Sequence, residues 1–253
     1  MNNLLRVDSL QMRFQGLVAL HGVTFDVPKG RITSVIGPNG AGKTTLFNCI
    51  TGMYRPTDGQ VYFAGEDITG YPAHRISRKG VARTFQNLAL FHGMTVLENL
   101  LVGAYQRGTS GLLQGMVRTR RVRAEMDEAR ADAMKVLKYL GMDDMADATP
   151  SELPYGRQKE IEFGRALMQK AQLILLDEPM AGMSSSEKIA LSKLVRRMQG
   201  ELGLSFLLVE HDMPVVMNLS DRIVVLDFGR KIAEGTPAEV RSDPAVISAY
   251  LGS

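Results

Sequence analysis

The chain contains no tryptophan and a single cysteine among its 253 residues. One cysteine, Cys49, excludes an intramolecular disulfide and a cysteine-based metal site, and a small buried apolar side chain is its favoured role. No apolar run approaches the ~20 residues of a membrane-spanning helix. Met1–Leu10 lacks the cationic start and long apolar core of a signal peptide. These absences predict a globular protein of the cytoplasm that does not cross the membrane.

A strong charge of either sign is also absent. The formal net charge is +3 and 45% of the residues are hydrophobic, so the composition does not indicate a nucleic-acid partner. One basic cluster is predicted to be a solvated face before a helix, with contact to anionic lipid headgroups or to an acidic partner as the alternative. The cluster consists of Arg118, Arg120, Arg121 and Arg123.

A glycine-rich loop, G-P-N-G-A-G-K-T, runs from Gly37 to Thr44. Its glycines allow successive backbone N–H groups to turn inward around an anion. Lys43 can reach the β- and γ-phosphates of a nucleotide, and the Thr44 hydroxyl can ligate Mg²⁺. A predicted strand before the loop and a predicted helix after it place the phosphates at a helix N-terminus. The pattern predicts a nucleotide-binding loop of the kind found in kinases, GTPases, helicases and transport ATPases, with candidate contacts from Gly37, Pro38, Asn39, Gly40, Ala41, Gly42, Lys43, Thr44 and Thr45.

Hydrophobic periodicity predicts an α/β fold. Short apolar strands with intervening helices favour a parallel sheet covered on both faces, with the ligand crevice at the carboxyl ends of its strands. Strands are predicted within 1–27 and over 31–36, 59–64, 173–176 and 205–209, helices over 43–52, 95–105, 122–140, 160–169 and 186–199, and a loop over 107–115.

An apolar strand ends in two carboxylates in the segment L-I-L-L-D-E, which closes with Asp177 and Glu178. Near a phosphate loop, Asp177 can hold Mg²⁺ through its water shell. Glu178 can position or deprotonate an attacking water. The alternative is a surface acidic pair that opens a turn. Glu210 and His211 follow the next predicted strand and are expected at the same edge of the sheet.

Further segments resemble the ATP-binding subunits of ABC transporters, in the order of that family and over nearly the whole chain. Phe14 in M-R-F-Q-G resembles the aromatic residue that stacks on adenine, with a core phenylalanine as the alternative. Gln86 in A-R-T-F-Q-N resembles the glutamine that senses Mg²⁺ and the γ-phosphate, and His211 resembles the switch histidine. Met180–Ser184 resembles the loop that crosses the dimer interface.

The resemblance implies a P-loop NTPase core with a mainly parallel sheet, an N-terminal antiparallel β subdomain and a helical insert. It implies one nucleotide-binding domain over 1–253, in which 1–86 and 160–253 form the core with the β subdomain and 87–159 the helical signature subdomain. The implied cofactors are ATP and Mg²⁺. The implied catalytic residues are Glu178, His211 and Gln86. The implied metal ligands are Thr44, Gln86 and Asp177, and Phe14, Gln86, Asp177 and His211 join the loop in binding ATP.

The segment Leu153, Pro154, Tyr155, Gly156 and Arg157 resembles the family signature, which usually reads L-S-G-G-Q. In this family the signature completes the ATP site of a partner chain. Pro154 supplies neither a hydroxyl nor an N–H group, so we expect this signature to act through backbone dipoles at a helix N-terminus.

A Tyr-Gly signature, the segment that begins at Asn87 and the ending A-Y-L-G resemble the uptake group for hydrophobic and branched-chain amino acids. The implied partners are a second ATP-binding subunit (the same chain or a related one), two membrane-spanning permease subunits and, indirectly, a periplasmic substrate-binding protein. The implied location is the cytoplasmic face of a bacterial inner membrane.

Three other functions remain as alternatives. The nearest is an exporter or lipid-transport ATPase of the same fold. An ABC ATPase of DNA repair, chromosome maintenance or translation is disfavoured, because coiled-coil insertions, zinc sites and a tandem cassette are absent from the sequence. A regulatory module without turnover is disfavoured by the presence of both Glu178 and His211.

Overall fold

The computed structural model describes residues 3–84, 89–105 and 120–251. The chain divides into two compact units, of which unit 1 comprises 1–86 and 172–253 and unit 2 comprises 87–171. Gln86, Arg118 and the predicted loop over 107–115 lie outside the described residues, as do the side chains of Arg120 and Arg121. Arg123 is exposed, as a solvated face requires.

Unit 1 contains two sheets with helices around them. Its strands are β1 (Asn3–Phe14), β2 (Leu17–Pro28), β3 (Ile32–Ile36), β4 (Asp58–Phe63), β5 (Glu66–Asp67), β6 (Val81–Thr84), β7 (Leu173–Asp177), β8 (Ser205–Val209), β9 (Arg222–Asp227) and β10 (Arg230–Gly235). Its helices are α1 (Lys43–Ile50), α2 (Ala73–Arg78), α6 (Ser185–Leu202), α7 (Met213–Leu219), α8 (Pro237–Ser242) and α9 (Pro244–Leu251), and the helices numbered between α2 and α6 belong to unit 2.

The larger sheet of unit 1 has six strands in the order β10-β9-β3-β8-β7-β6. All its neighbouring strands pair in parallel except β10, which is antiparallel to β9. Every residue of β3, β7 and β8 is buried. Such uninterrupted burial explains the continuous apolar runs L-I-L-L of β7 and F-L-L-V of β8. The predicted α/β fold with a mainly parallel sheet is confirmed.

The smaller sheet of unit 1 has four strands in the order β2-β1-β4-β5, and all its pairs are antiparallel. Residues of β1 and β2 alternate between buried and more exposed positions over most of their length, which is typical of a sheet with one face on a core. This sheet is the antiparallel β subdomain that the family resemblance implies.

Two apolar clusters hold unit 1 together. The first joins the antiparallel sheet, α1 and one face of the parallel sheet, and it includes Phe25, Phe47 and Leu207. The second covers the opposite face with residues from α7, α8 and α9, and it includes Ile36 and Val246. Burying a large apolar side chain contributes about 1.5–3 kcal/mol, so α1 and the phosphate loop before it are anchored between two layers.

Unit 2 is helical and consists of α3 (Val96–Tyr105), α4 (Arg120–Leu140) and α5 (Tyr155–Met168), with short 3₁₀ turns at Asp143–Met145 and Pro150–Glu152. Helix α4 corresponds to the helix predicted over 122–140, and its apolar residues Ala133, Leu137 and Leu140 are buried, whereas Met126 is exposed. The helix therefore packs by its C-terminal half.

The predicted boundary between 159 and 160 is wrong, because it falls inside α5. Helix α5 starts at Tyr155, directly after Pro154, whose φ of −55° and ψ of 150° are those of a cap residue. Since α5 packs against α3 and α4, the whole helix belongs to unit 2, which ends at Ala171.

Replacement of Gly103 by alanine is expected to destabilise the protein. A Cβ at this position of α3 would lie 2.4 Å from the Arg165 carbonyl oxygen of α5, so the two helices must separate. Overpacking of this kind costs about 1–3 kcal/mol. Urea denaturation of the purified chain measures the loss.

Gly200→Ala is the matched control. Gly200 also lies within a helix, α6, but a Cβ there meets nothing within 4 Å. Alanine is the better helix former by roughly 1 kcal/mol, so this variant should be as stable as the parent or more stable. Equal destabilisation by both substitutions would contradict the close packing of α3 on α5.

Candidate nucleotide-binding and active site

The predicted phosphate loop connects β3 to α1. Its glycines at 37, 40 and 42 all have positive φ, and Gly42, with φ 97°, is the residue before the first helical turn. Gly42 excludes a side chain for two reasons. Its positive φ disfavours other residues, and a Cβ would lie 2.8 Å from the Ala19 carbonyl oxygen. The loop backbone therefore approaches β2 closely and opens towards the start of α1.

Lys43 points back over this loop. Its Nζ donates hydrogen bonds to the carbonyl oxygens of Gly37 at 2.7 Å and Pro38 at 3.0 Å. Burial lowers the pKa of Lys43, and the charges of Glu178 and Asp177 oppose this shift. The ammonium group thus lies in the field of both predicted carboxylates.

A groove of about 590 Å³ runs along the phosphate loop. Phe14 lines it with 37% of its surface exposed, so this residue is not part of the core. The edge of Tyr54 supports the Phe14 ring, with ring centroids 5.4 Å apart and an interplanar angle of 78°. The groove is lined by Phe14, Leu17, Val18, Ala19, His21, Asn39, Gly40, Ala41, Gly42, Lys43, Thr44, Thr45, Glu178 and Phe228.

Asp177 is the last residue of β7 and is held by a buried ion pair. One of its oxygens, Oδ2, accepts a hydrogen bond from Arg83 Nη2 at 2.7 Å, and the two side chains are only 11% and 10% exposed. Arg83 Nη1 also donates to Asn48 Oδ1 at 2.7 Å and to the Thr51 hydroxyl oxygen at 3.3 Å. Arg83 thus connects α1, β6 and the end of β7.

Glu178 and His211 lie side by side beyond the sheet edge. Glu178 adopts a left-handed backbone conformation, with φ 46°, and its N–H donates to the Val209 carbonyl oxygen at 2.9 Å. Its Oε1 lies 3.8 Å from His211 Nδ1. The His211 side chain is 65% exposed. The pair therefore presents a carboxylate and an imidazole to solvent next to the phosphate loop.

Glu210 organises the loops on which these side chains lie. It is 2% exposed, and it accepts hydrogen bonds from the backbone N–H groups of Met180 at 3.0 Å, His211 at 3.1 Å and Asp212 at 3.4 Å. Three backbone donors stabilise a buried carboxylate. Sequence reasoning placed Glu210 at this edge without a role, and it did not identify Arg83. A charged residue inside the apolar strand V-A-R-T was the available signal for Arg83.

The signature residues lie in unit 2, at the start of α5. Pro154 is the residue before the first helical turn, with no side-chain cap, and Tyr155 is exposed. Gln158 Nε2 donates to the Leu153 carbonyl oxygen at 2.9 Å, and Arg157 Nη1 donates to Glu160 Oε2 at 2.6 Å. The first backbone N–H groups of α5 therefore donate no hydrogen bond to the side chain of the cap residue.

Thr44 and Thr45 open α1, and Thr44 is exposed. Within the described ranges, no group of three or more His, Cys, Asp or Glu side chains is arranged to hold a metal ion. The candidate Mg²⁺ donors are hard oxygens, the Thr44 hydroxyl and the Asp177 carboxylate, which suit that ion.

No helix in the described part of the chain has both the length and the apolar composition to span a bilayer.

A family model described as ABC transporter matches residues 20–181. The chain therefore belongs to the ABC transporter family and is one of its nucleotide-binding ATPase cassettes. A second model, described as branched-chain amino acid ATP-binding cassette transporter, matches residues 230–253. The family membership expected from the motifs is confirmed.

Curated relatives match along almost the whole chain. The high-affinity branched-chain amino acid transport ATP-binding protein BraF of Pseudomonas aeruginosa is 44% identical, and the match covers 98% of each chain. The similarly described LivG of Escherichia coli is 43% identical over the same shares of the two chains.

Solved structures agree with this fold. A nucleotide-free ATP-binding cassette from an ABC transporter matches with a TM-score of 0.86 and 36% identity, covering 99% of this chain and all of the other. The ADP conformation of MJ1267, an ATP-binding cassette of an ABC transporter, matches with a TM-score of 0.87 and 35% identity, covering 100% of both chains.

Replacement of Arg83 by methionine is expected to destabilise unit 1 strongly. The variant keeps an unbranched apolar stem but leaves Asp177 as a buried carboxylate without its guanidinium partner. Removal of one partner of a buried pair costs about 3–5 kcal/mol. The free energy of unfolding in urea tests this expectation.

Arg6→Met serves as the control. Arg6 pairs with Asp8 at 2.6 Å on the surface of the antiparallel sheet, and a surface pair contributes about 0–1 kcal/mol. If the two substitutions changed the unfolding free energy equally, the structural importance assigned to the buried pair would be wrong.

Proposed function

We propose that the groove beside the phosphate loop binds ATP with Mg²⁺ and that Glu178 and His211 carry out its hydrolysis. One observation carries this proposal. The phosphate loop, Asp177, Glu178 and His211 all follow strands of one parallel sheet at its carboxyl edge. This edge is where open α/β sheets bind ligands.

The groove offers complementary surfaces to the two ends of ATP. Phe14, held by Tyr54, provides a half-exposed aromatic ring for the adenine base, and Leu17 and Val18 extend the apolar side. The loop backbone and the start of α1 provide N–H groups for the phosphates. Lys43 adds a positive charge, and its bonds to two loop carbonyls hold it over the cradle.

Mg²⁺ fits the oxygen donors around the loop. The Thr44 hydroxyl would hold it directly, and Asp177 would hold its water shell through Oδ1, since Oδ2 accepts from Arg83. Gln86 joins this set by its resemblance to the family glutamine. When bound, Mg²⁺ neutralises charge on the β- and γ-phosphates.

Glu178 is the proposed general base. Its backbone conformation and its bond to Val209 aim the carboxylate beyond the sheet edge, where water can reach it. His211 at 3.8 Å is close enough to share an attacking water or a γ-phosphate oxygen with it. Glu210 holds both loops in place and acts as a positioning residue.

A second ATP-binding subunit is proposed to complete each site. The resemblance assigns the signature Leu153–Arg157 to the phosphates of a partner chain. Because Pro154 offers no hydroxyl and no N–H, this signature supplies the amides and dipole of the α5 N-terminus alone. The partner can be the same chain or a related one.

The complex is proposed to import branched-chain or other hydrophobic amino acids. Support comes from the names of BraF and LivG and from the branched-chain model that matches residues 230–253. The same similarities favour uptake over export. The further partners would be two permease subunits and a periplasmic binding protein, with this chain on the cytoplasmic face of the inner membrane.

Glu178→Gln should abolish most hydrolysis and preserve ATP binding. The amide keeps the size of the side chain but cannot accept the proton of water. Loss of a general base lowers kcat by about 10²–10⁴-fold. Phosphate release by the assembled complex and ATP binding to the same preparation measure the two effects.

Glu201→Gln removes an exposed carboxylate near the end of α6 and should leave both quantities unchanged. Parental turnover by the complex that carries Glu178→Gln in every copy of this chain would show that Glu178 is not the base.

Transport by the complete system tests the substrate. Proteoliposomes that contain this chain, its permease subunits and the binding protein should accumulate labelled leucine, isoleucine and valine when ATP is present on the side of this chain. Lys43→Ala should stop accumulation. Uptake of none of these amino acids, with ATP hydrolysis intact, would refute the proposed substrate class.

A further inference from the structure

The hairpin between β9 and β10 places an exposed phenylalanine at the groove beside the phosphate loop. Asp227 pairs with Arg230, so the turn consists of two residues, Phe228 and Gly229. Phe228 is 81% exposed, and it lines the groove together with Phe14. An apolar ring in this position is in contact with water, and a ligand that covers the ring gains the free energy of its burial.

Gly229 connects this turn to β2 and to the phosphate loop. Its N–H donates to the Ala41 carbonyl oxygen at 3.1 Å, and its own carbonyl oxygen accepts from the His21 N–H at 2.8 Å. A Cβ at Gly229 would lie 2.4 Å from the Ala19 carbonyl oxygen, so the turn packs directly on β2. Phe228 is therefore held at the groove before a ligand binds, which lowers the entropy cost of a contact.

Phenylalanine is an unfavourable residue for this turn. φ is positive at both positions, 40° at Phe228 and 74° at Gly229, as in type I′ turns, where asparagine or aspartate usually precedes the glycine. A bulky side chain at positive φ is strained. The same pair of positive φ values occurs at Gln15–Gly16 and Ala64–Gly65, where the first residue is polar or small. A strained residue that also exposes a large apolar side chain points to a functional constraint.

We propose that Phe228 binds the nucleoside part of ATP, as a second aromatic contact besides Phe14. The proposal rests on the proposed binding of ATP in this groove and adds a residue to it. Lys43 and the loop amides hold the phosphates, so the two phenylalanine rings are left for the base and its ribose. Every nucleobase has a π-face that stacks on an aromatic ring. Phe228 therefore adds affinity for the nucleoside and not for the phosphates.

Phe228→Asn removes the ring and places a preferred residue in the turn, so the melting temperature should equal that of the parent or exceed it. Loss of one contact between a base and an aromatic ring corresponds to roughly a fivefold to thirtyfold change in an equilibrium constant. We expect Kd for ATP, measured by calorimetry with Mg²⁺ on the purified full chain, to rise by this factor. Kd for inorganic tripolyphosphate, which has no base, should keep its parental value.

Ala64→Asn is the matched control, because it also places asparagine at positive φ before a glycine. This residue lies in the turn between β4 and β5, which is not part of the groove lining, and its replacement should leave both Kd values unchanged. Phe228→Tyr restores an aromatic ring and should return Kd for ATP to within about twofold of the parent.

Two results would overturn the proposal. The first is a parental Kd for ATP in Phe228→Asn, and if that variant also assembled poorly with the other subunits, the ring would belong to a protein interface. The second is an equal loss of affinity for ATP and for tripolyphosphate, because the effect would then act on the phosphate loop through Gly229.

Lys43→Ala separates this proposal from the one on which it rests, and it should weaken the binding of both ATP and tripolyphosphate. If Lys43→Ala bound both as tightly as the parent, the assignment of the phosphate loop would be wrong and the role of Phe228 would fall with it. If Lys43→Ala lost binding while Phe228→Asn kept the parental Kd for ATP, the loop assignment would stand and the role of Phe228 would be refuted.

Discussion

The candidate site depends on the parallel pairing of β3 with its two neighbours. Val35 pairs with Val209 of β8 and Ile36 with Val225 of β9, while Asp177 of β7 also pairs with Val209. In this register three strands end at nearly the same level. The chain therefore leaves the sheet at one edge to form the phosphate loop, the acidic turn and the histidine turn. A one-residue slip of this register would turn every side chain to the opposite face of the sheet and would misplace the turns that carry the site residues.

The buried carboxylates at this edge, Asp177 and Glu210, are each hydrogen-bonded by protein groups. Arg83 neutralises Asp177, and Glu210 accepts three backbone N–H groups. A buried charge without such partners would cost several kcal/mol. These contacts also connect separate segments of the site, namely α1 and β7 through Arg83, and the two loops after β7 and β8 through Glu210. Glu178 and His211, by contrast, lie in contact with solvent, where a reacting water can enter.

Much of the fold was predictable, because its signals are local. The strands at 173–176 and 205–209 are apolar runs, and the phosphate loop is a glycine pattern between a strand and a helix. The start of α5 was harder to predict, since periodicity indicated a helix only from residue 160, whereas the helix begins at Tyr155, within the signature that was expected to lie at a helix N-terminus. The C-terminal elements β10, α8 and α9 are short and carry weak periodicity, so the sequence did not indicate their arrangement.

The partners of the site residues were beyond such reasoning. Arg83 and Asp177 are separated by 94 positions in the chain, and Glu210 and Met180 by 30. A pattern within one segment cannot indicate that these residues are in contact, because the contact follows from the order of the strands in the sheet.

The sequence alone therefore determined which groups this ATPase cassette offers at its candidate site, namely a phosphate loop, a carboxylate pair and a histidine, each at the end of a buried strand. It could do so because backbone conformation and burial depend on nearby residues. The tertiary structure decided that Phe14 lies in a groove and not in the core, that Asp177 pairs with Arg83, and that Val246 of α9 packs in one apolar cluster with Ile36, the residue before the phosphate loop. These outcomes depend on which segments pack together, and packing is a property of the whole chain.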